Sequence, residues 1–301
     1  MSRVHVAPVS FGLGDLVVSL PAIQAVIAEA RRDGDETWLV ARSPAQARLS
    51  TRIGGLSGAV DEDTSDHAAR AARFVDLRDH PLQRDHWWGS PEFRSRFGAM
   101  AINDILSRIC SDLGIAAEFS SPAPLVARSR AGLRETVLFV AASDGPTKHW
   151  PIDGWAALAG AVRDAGLDVA LLSRFGAADM ASVGIGDVVA ATLGDAVDAL
   201  SSCRAVVGVD TGLTHVAVQQ GTPTVTICRP HPFFFRPWPH CRAVTGDPCD
   251  DACIAADSEH AHNATVSLPG RQWSPWPCRA GGRCMGSIAA VDVFDALAQI
   301  L

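Results

Sequence analysis

The chain has 301 residues, 48% of them hydrophobic, enough for two domains with buried cores and too apolar for a disordered protein. A net charge of −7 argues against a sequence-independent grip on nucleic acid or anionic lipid. No apolar run approaches the roughly 20 residues of a membrane helix, and Met1-Ser2-Arg3-Val4-His5-Val6 enters a strand directly, without the apolar core of a secretion signal. A soluble cytoplasmic protein without integral membrane contact is therefore expected.

A strand is predicted over 4–9, followed by a turn at Phe11-Gly12-Leu13-Gly14-Asp15 and a helix over 16–31 whose apolar positions include Leu16, Leu20, Ile23 and Ile27. A strand over 38–41, a short helix over 45–53 and a strand over 73–77 come next. Residues 79–90 read as a loop holding His80, Arg84, His86, Trp87 and Trp88. From Pro91 to Leu113, apolar residues recur at a helical period, with proline at the start. Ser120-Ser121-Pro122-Ala123-Pro124 breaks that period and places a linker over 120–133.

The alternation then restarts. Strands are predicted over 136–141, 169–173, 205–210 and 224–227, with helices over 155–165, ending near 203, over 211–220 and over 289–301. Strand–helix alternation in both halves predicts two α/β domains with parallel sheets.

Of the eight cysteines, Cys241, Cys249, Cys253, Cys278 and Cys284 gather late in the chain, near His231, His240, His260 and His262. Their spacing lacks the paired C-x-x-C units of a structural zinc site. Reduced thiols and no metal are the expectation.

Ligands of open parallel sheets collect beyond the carboxyl ends of strands, where helix N-termini point. Three segments meet that condition. Gly12-Leu13-Gly14-Asp15 fails the dinucleotide fingerprint, because Val17 stands at the third glycine and an acid sits in the turn. Asp15 is either a helix cap or a catalytic carboxylate. In the second, Ser143, Thr147 and Lys148 can together bind phosphate oxygens, while His149, Trp150 and Pro151 read as packing. Lys148 is the only lysine among 26 basic residues, a compact point charge where all others are planar guanidinium groups. The third runs a strand straight into a helix at Asp210-Thr211-Gly212-Leu213-Thr214-His215. Gly212 lets a phosphate approach the backbone, and Asp210 either caps or orients the turn. His215 reads as an interior histidine.

Gly14-Asp15 with Leu20-Pro21-Ala22, Lys148-His149-Trp150-Pro151 with Trp155, Asp210-Thr211-Gly212-Leu213-Thr214-His215, and Arg283-Cys284-Met285 with Ile288 and Val293 resemble the bacterial heptosyltransferases of glycosyltransferase family 9. The likeness runs through nearly the whole chain in the family's order. It implies the α/β GT-B fold, two Rossmann-like domains with parallel sheets facing a central cleft. An acceptor domain would span 1–125 and a nucleotide-sugar domain 133–285, with the 286–301 helix packing back toward the first domain. The resemblance further implies inverting transfer of heptose from an ADP-heptose donor, with no metal and no cofactor. By motif, Asp15 becomes the general base, Lys148 a donor-phosphate contact, and Thr211, Gly212 and Leu213 the pyrophosphate cradle. Ser143, Thr147 and Asp210 join the donor set, and Asp179 is the nearest match for the donor ribose.

The first 125 residues carry 13 arginines against 16 acids, net −3, which disfavours an anionic membrane-anchored acceptor. A soluble small-molecule or sugar acceptor, such as a natural-product intermediate, is predicted instead. Gly14, Arg84, His86, Trp87 and Trp88 are its candidate contacts, since aromatic faces suit sugars, though a hydrophobic lid would use the same rings. Three alternatives stay open: a lipopolysaccharide-type heptosyltransferase, a GT-B enzyme of another nucleotide sugar, and a non-catalytic nucleotide-sugar binding module.

Overall fold

The computed structural model describes residues 2–63, 71–86, 91–98, 100–143, 146–173, 183–230, 238–247 and 282–301. They form two compact units that divide between Val126 and Ala127. No helix among the described residues is long and apolar enough to cross a membrane.

The first unit is built on four parallel strands: β1 (Arg3–Ala7), β2 (Glu36–Ala41), β3 (Gly58–Asp61) and β4 (Arg73–Asp76). Their order across the sheet is β3-β2-β1-β4, with Val6 paired to Leu39 on one side and Val75 on the other. Among the described residues, the helices that connect and flank them are α1 (Leu13–Val18), α2 (Leu20–Arg32), α3 (Pro44–Ser50), α4 (Pro81–Arg84), α5 (Pro91–Phe97) and α6 (Ile102–Asp112).

The helix expected over 16–31 is in fact two. Pro21 has no amide hydrogen, and its ring crowds the carbonyl four residues back, so the ladder breaks at Ser19. Ser19 Oγ then donates to Asp15 O at 2.7 Å and accepts from Val9 N at 3.3 Å, tying the break to the loop after β1. The segment 91–113 is likewise split. α6 starts afresh because Ala101 N donates to Asp104 Oδ2 at 3.0 Å, a new N-terminal cap. Ile102, Ile105, Leu106 and Ile109 then form its wholly buried face.

The second unit holds six parallel strands: β5 (Thr136–Val140), β6 (Asp168–Ser173), β7 (Gly186–Val189), β8 (Ala205–Val209), β9 (Thr224–Cys228) and β10 (Cys241–Thr245). They run in the order β10-β9-β8-β5-β6-β7. Every residue of β5 and β9 is buried, as is every residue of β8, the signature of a parallel sheet covered on both faces. The helices are α7 (Ile152–Asp164), α8 (Leu193–Leu200), α9 (Gly212–Gln219), α10 (Arg283–Gly286) and α11 (Ala290–Ala298).

Aromatic rings organise one face of this sheet. Phe139 of β5 and Trp155 of α7 lie 4.9 Å apart between centroids, and Trp150 meets Trp155 edge-on at 5.1 Å. Trp150 also donates through Nε1 to Ile288 O at 3.1 Å, so the chain two residues after Lys148 is locked into the core. α11 buries Val293 and Leu297 in the same cluster, packing on α7, β9 and β10 of its own unit.

Strands β3, β7 and β10 were not predicted. All three are edge strands, short and partly exposed, so they lack both the apolar run of a central strand and a full alternation.

Candidate active site

In the second sheet the chain winds outward from β5 through β6 to β7, and from β8 through β9 to β10. The direction reverses between β5 and β8, and their following segments diverge there, opening a crevice at the carboxyl edge. Lys148 closes a single 3-10 turn, Pro146–Lys148, after β5. Asp210 follows β8 directly.

These two side chains meet across the crevice. Lys148 Nζ donates to Asp210 Oδ2 at 2.7 Å, with 28% and 17% of the side chains exposed. The second carboxylate oxygen, Oδ1, lies 3.3 Å from Nε2 of the buried His215 on α9. A carboxylate only accepts, so Nε2 carries the proton in that contact. Burial by itself would raise the Asp210 pKa. The Lys148 charge, with the hydrogen bond and charge of His215, outweighs it and holds the carboxylate below its ordinary range.

Asp210 is thus no N-cap. That position belongs to Thr211, which is extended at φ −149° and ψ 162° and makes no side-chain bond to the helix start. The first turn of α9 is drawn onto the sheet instead by Thr214, whose Oγ1 donates to Val209 O at 2.7 Å. Gly208 makes this approach possible, because a Cβ there would stand 2.3 Å from Thr214 Oγ1 and 3.0 Å from Val140 Cβ. On the other wall, His149 Nε2 and Ser143 O are 2.9 Å apart, and Thr147 is partly buried. Asp179 lies outside the described residues.

The first sheet has its own reversal, between β1 and β4. Asp15 lies in the first turn of α1, beside Gly14, and its Oδ2 accepts from Gly12 N at 3.0 Å. The carboxylate is therefore a cap and is held in one direction, which leaves a chemical role open to it. A Cβ at Gly12 would stand 2.7 Å from that same oxygen, so glycine is what admits the carboxylate.

Of the expected acceptor contacts, Arg84 is at the end of α4 and is engaged locally, by Asp85 at 2.9 Å and Asp79 at 3.2 Å. Its pKa is raised, first by the hydrogen bond it donates to Asp85. His86 joins a ring cluster, 5.0 Å from Phe97 and 6.3 Å from Phe93 between centroids. Trp87 and Trp88 lie outside the described residues. So do Cys249, Cys253, Cys278, His231, His260 and His262. Cys241 and Cys284 are buried, and among the described residues no group of three or more His, Cys, Asp or Glu is arranged to hold a metal ion.

Sequence reasoning passed over several residues that the structure puts to use. His215 was expected to be interior, and it is buried, but its ring is aimed at Asp210. The buried Gln46 and Gln83 went unnoticed because a polar residue in a short helix reads as surface.

Residues 108–247 match the family model of glycosyltransferase family 9 (heptosyltransferase). That segment belongs to glycosyltransferase family 9. It contains both walls of the Lys148–Asp210 crevice, while Asp15 and the candidate acceptor contacts precede it. Solved structures agree in fold. A family 9 glycosyltransferase from Veillonella parvula superposes with a TM-score of 0.66 at 15% identity, covering 99% of this chain and 97% of its own. The E. coli heptosyltransferase WaaC with ADP-2-deoxy-2-fluoro heptose gives 0.58 at 16% identity, covering 86% and 98%. TibC of enterotoxigenic E. coli, described as an iron-containing dodecameric glycosyltransferase, gives 0.65 at 14% identity, covering 99% and 78%. No curated protein sequence matches the chain. The two parallel α/β sheets accordingly have the fold of the GT-B glycosyltransferases.

Proposed function

We propose that this family 9 protein transfers heptose from ADP-heptose to a soluble acceptor in the cytoplasm, with inversion and without a metal. The observation that carries the reading is the Lys148–Asp210–His215 array at the switch point of the second sheet. An ammonium has three donor hydrogens. With one on Asp210, two remain for oxygens of a diphosphate seated in the crevice. The donor assignment draws on relatives: WaaC was solved with ADP-2-deoxy-2-fluoro heptose and TibC with ADP-D-β-D-heptose.

In the reaction, an acceptor hydroxyl attacks the anomeric carbon from the face opposite the diphosphate. The new C–O bond forms as the bond to ADP breaks, and Asp15 takes the hydroxyl proton. Negative charge grows on the departing diphosphate, where Lys148 and the first-turn amides of Thr211, Gly212 and Leu213 meet it. Each such well-placed donor is typically worth about 2.7–4 kcal/mol. Lys148 does here what a divalent ion does in metal-dependent transferases, so chelation should leave turnover intact. Ser143 and Thr147 complete the phosphate contacts, and Asp179 binds the donor ribose.

Gly14, Arg84, His86, Trp87 and Trp88 would contact the acceptor. The net charge of −3 over residues 1–125 favours a neutral or cationic small molecule. A second reading, a lipid-linked acceptor, has its support in the likeness to E. coli ADP-heptose lps heptosyltransferase II, with a TM-score of 0.57 at 19% identity.

Mass spectrometry of the purified protein with ADP-heptose and a panel of soluble and lipid-linked acceptors tests the proposal. A product heavier by one heptose on a soluble acceptor is expected. Turnover of UDP- or GDP-sugars in preference overturns the donor, and turnover of lipid-linked sugars alone overturns the acceptor. Near-normal turnover by Asp15→Asn removes the general base.

A further inference from the structure

The loop that delivers Asp15 is held from behind by side chains on three other elements. Gln46 of α3 is wholly buried, and its Nε2 donates to Ser10 O at 2.8 Å and to Gly12 O at 2.9 Å. Its Oε1 accepts from Arg42 N at 2.9 Å, so both ends of the amide are engaged and its orientation is determined. Gln83 of α4, 5% exposed, donates through Nε2 to Val9 O at 3.0 Å. Arg42, just past β2, donates through Nη1 to Pro8 O. Its guanidinium is itself fixed by Asp76, with two bonds of 2.8 Å, and by Glu62 at 2.9 Å.

Four carbonyls between residues 8 and 12 are therefore taken by buried side-chain donors from α3, α4 and the end of β2. A surface loop satisfies its carbonyls with water at little cost, whereas burying amides and a guanidinium is costly unless every bond is made. Such an investment behind a five-residue stretch fixes its conformation. Gly12 lies at the end of that stretch, and its two backbone faces are used oppositely. Gln46 grips the carbonyl, and the amide holds Asp15 Oδ2.

We propose that Gln46 and Gln83, backed by Arg42, are positioning residues that aim the Asp15 carboxylate. The inference rests on the reading of Asp15 as general base. Neither glutamine touches the reacting atoms; they act through the backbone of residues 9–12.

Gln46→Met and Gln83→Met remove the amide donors while keeping length and volume. The second loses one hydrogen bond rather than three, so it stays informative if the first folds poorly. ADP release from ADP-heptose is measured with the acceptor found by mass spectrometry, and ADP affinity is measured by calorimetry. Each variant should lower kcat 10- to 100-fold while donor KM and ADP affinity stay within twofold, since a misplacement of about 1 Å costs on the order of 10²-fold. In an Asp15→Asn background the same substitutions should cost less than a further twofold, because nothing remains to be aimed.

Normal kcat in the glutamine variants overturns the proposal and leaves the base assignment standing. Undiminished losses in the Asp15→Asn background overturn it too, since the glutamines would then act elsewhere. Near-normal turnover of Asp15→Asn itself overturns the base assignment and the positioning role together.

Discussion

Lys148 Nζ and Asp210 Oδ2, 62 residues apart in sequence, stand 2.7 Å from one another at the point where the second sheet reverses its winding. The pair has a third member in His215, 3.3 Å from the other carboxylate oxygen. Asp210 therefore holds the protein's single lysine in place. Its removal frees the ammonium to swing on a four-carbon stem. Asp210→Asn should raise donor KM and lower kcat, with kcat/KM down 10- to 100-fold, or about 1.4–2.7 kcal/mol. Steady-state kinetics with ADP-heptose measure this, and an unchanged kcat/KM would show that Lys148 needs no such partner.

Lys148→Arg keeps the charge and changes its shape. The planar fork cannot fit the space of a compact ammonium against Asp210 without shifting the 3-10 turn that Trp150 anchors. ADP affinity should weaken about tenfold, equal to about 1.4 kcal/mol. Calorimetric titration of ADP into both proteins decides the matter; equal affinities would remove the case for a point charge.

The depressed Asp210 pKa also predicts a pH effect on stability. A carboxylate whose folded pKa lies below its unfolded value of about 3.9 contributes stability above that value. The contribution is lost as pH falls through the unfolded value toward the lower folded one. Thermal unfolding from about pH 5 to 2 should show a shallower acid loss for Asp210→Asn than for the parent. Parallel curves would mean that the ion pair contributes no folding free energy.

Gly208→Ala tests how α9 is seated. The added methyl would stand 2.3 Å from Thr214 Oγ1, with Val140 Cβ on its other flank at 3.0 Å, so the first turn of α9 must lift from β8. Overpacking of this kind costs about 1–3 kcal/mol. Urea denaturation should show that loss, accompanied by weaker ADP binding because the amides at residues 211–213 move. Stability lost with ADP affinity intact would separate this turn from the donor.

Gly12→Ala acts on the other unit. Its methyl would stand 2.7 Å from Asp15 Oδ2, which must rotate away and give up the Gly12 amide. A kcat reduced by about two orders of magnitude is expected from a displaced base, with ADP affinity unchanged. Assay of ADP release beside an ADP titration resolves the two quantities. Weakened ADP affinity would instead place this turn in donor binding.

Central strands and their helices were legible because burial on both faces writes itself as contiguous apolar runs, as in Thr136-Val137-Leu138-Phe139-Val140 and Ala205-Val206-Val207-Gly208-Val209. The edge strands were not, since Gly186-Asp187-Val188-Val189 buries too little to show a period. The breaks at Ser19 and before Ile102 were hidden by apolar spacing that carries on through them. Proline at 21 and the Ala101–Asp104 cap overrode that spacing locally.

By itself the sequence determined two α/β units, the lone lysine after a strand, and the strand-to-helix turn at Asp210, because periodicity and turn chemistry are local properties of the chain. It could not show that Lys148 and Asp210 are partners, that Gly208 is what lets Thr214 reach Val209, or that Gln46 and Gln83 grip the loop of Asp15. Those contacts join residues from neighbouring strands and from helices laid over them. They exist because β5 lies beside β8, and β1 between β2 and β4, in the assembled sheets. Strand order is set by the packing of the whole unit, and no stretch of sequence encodes it alone.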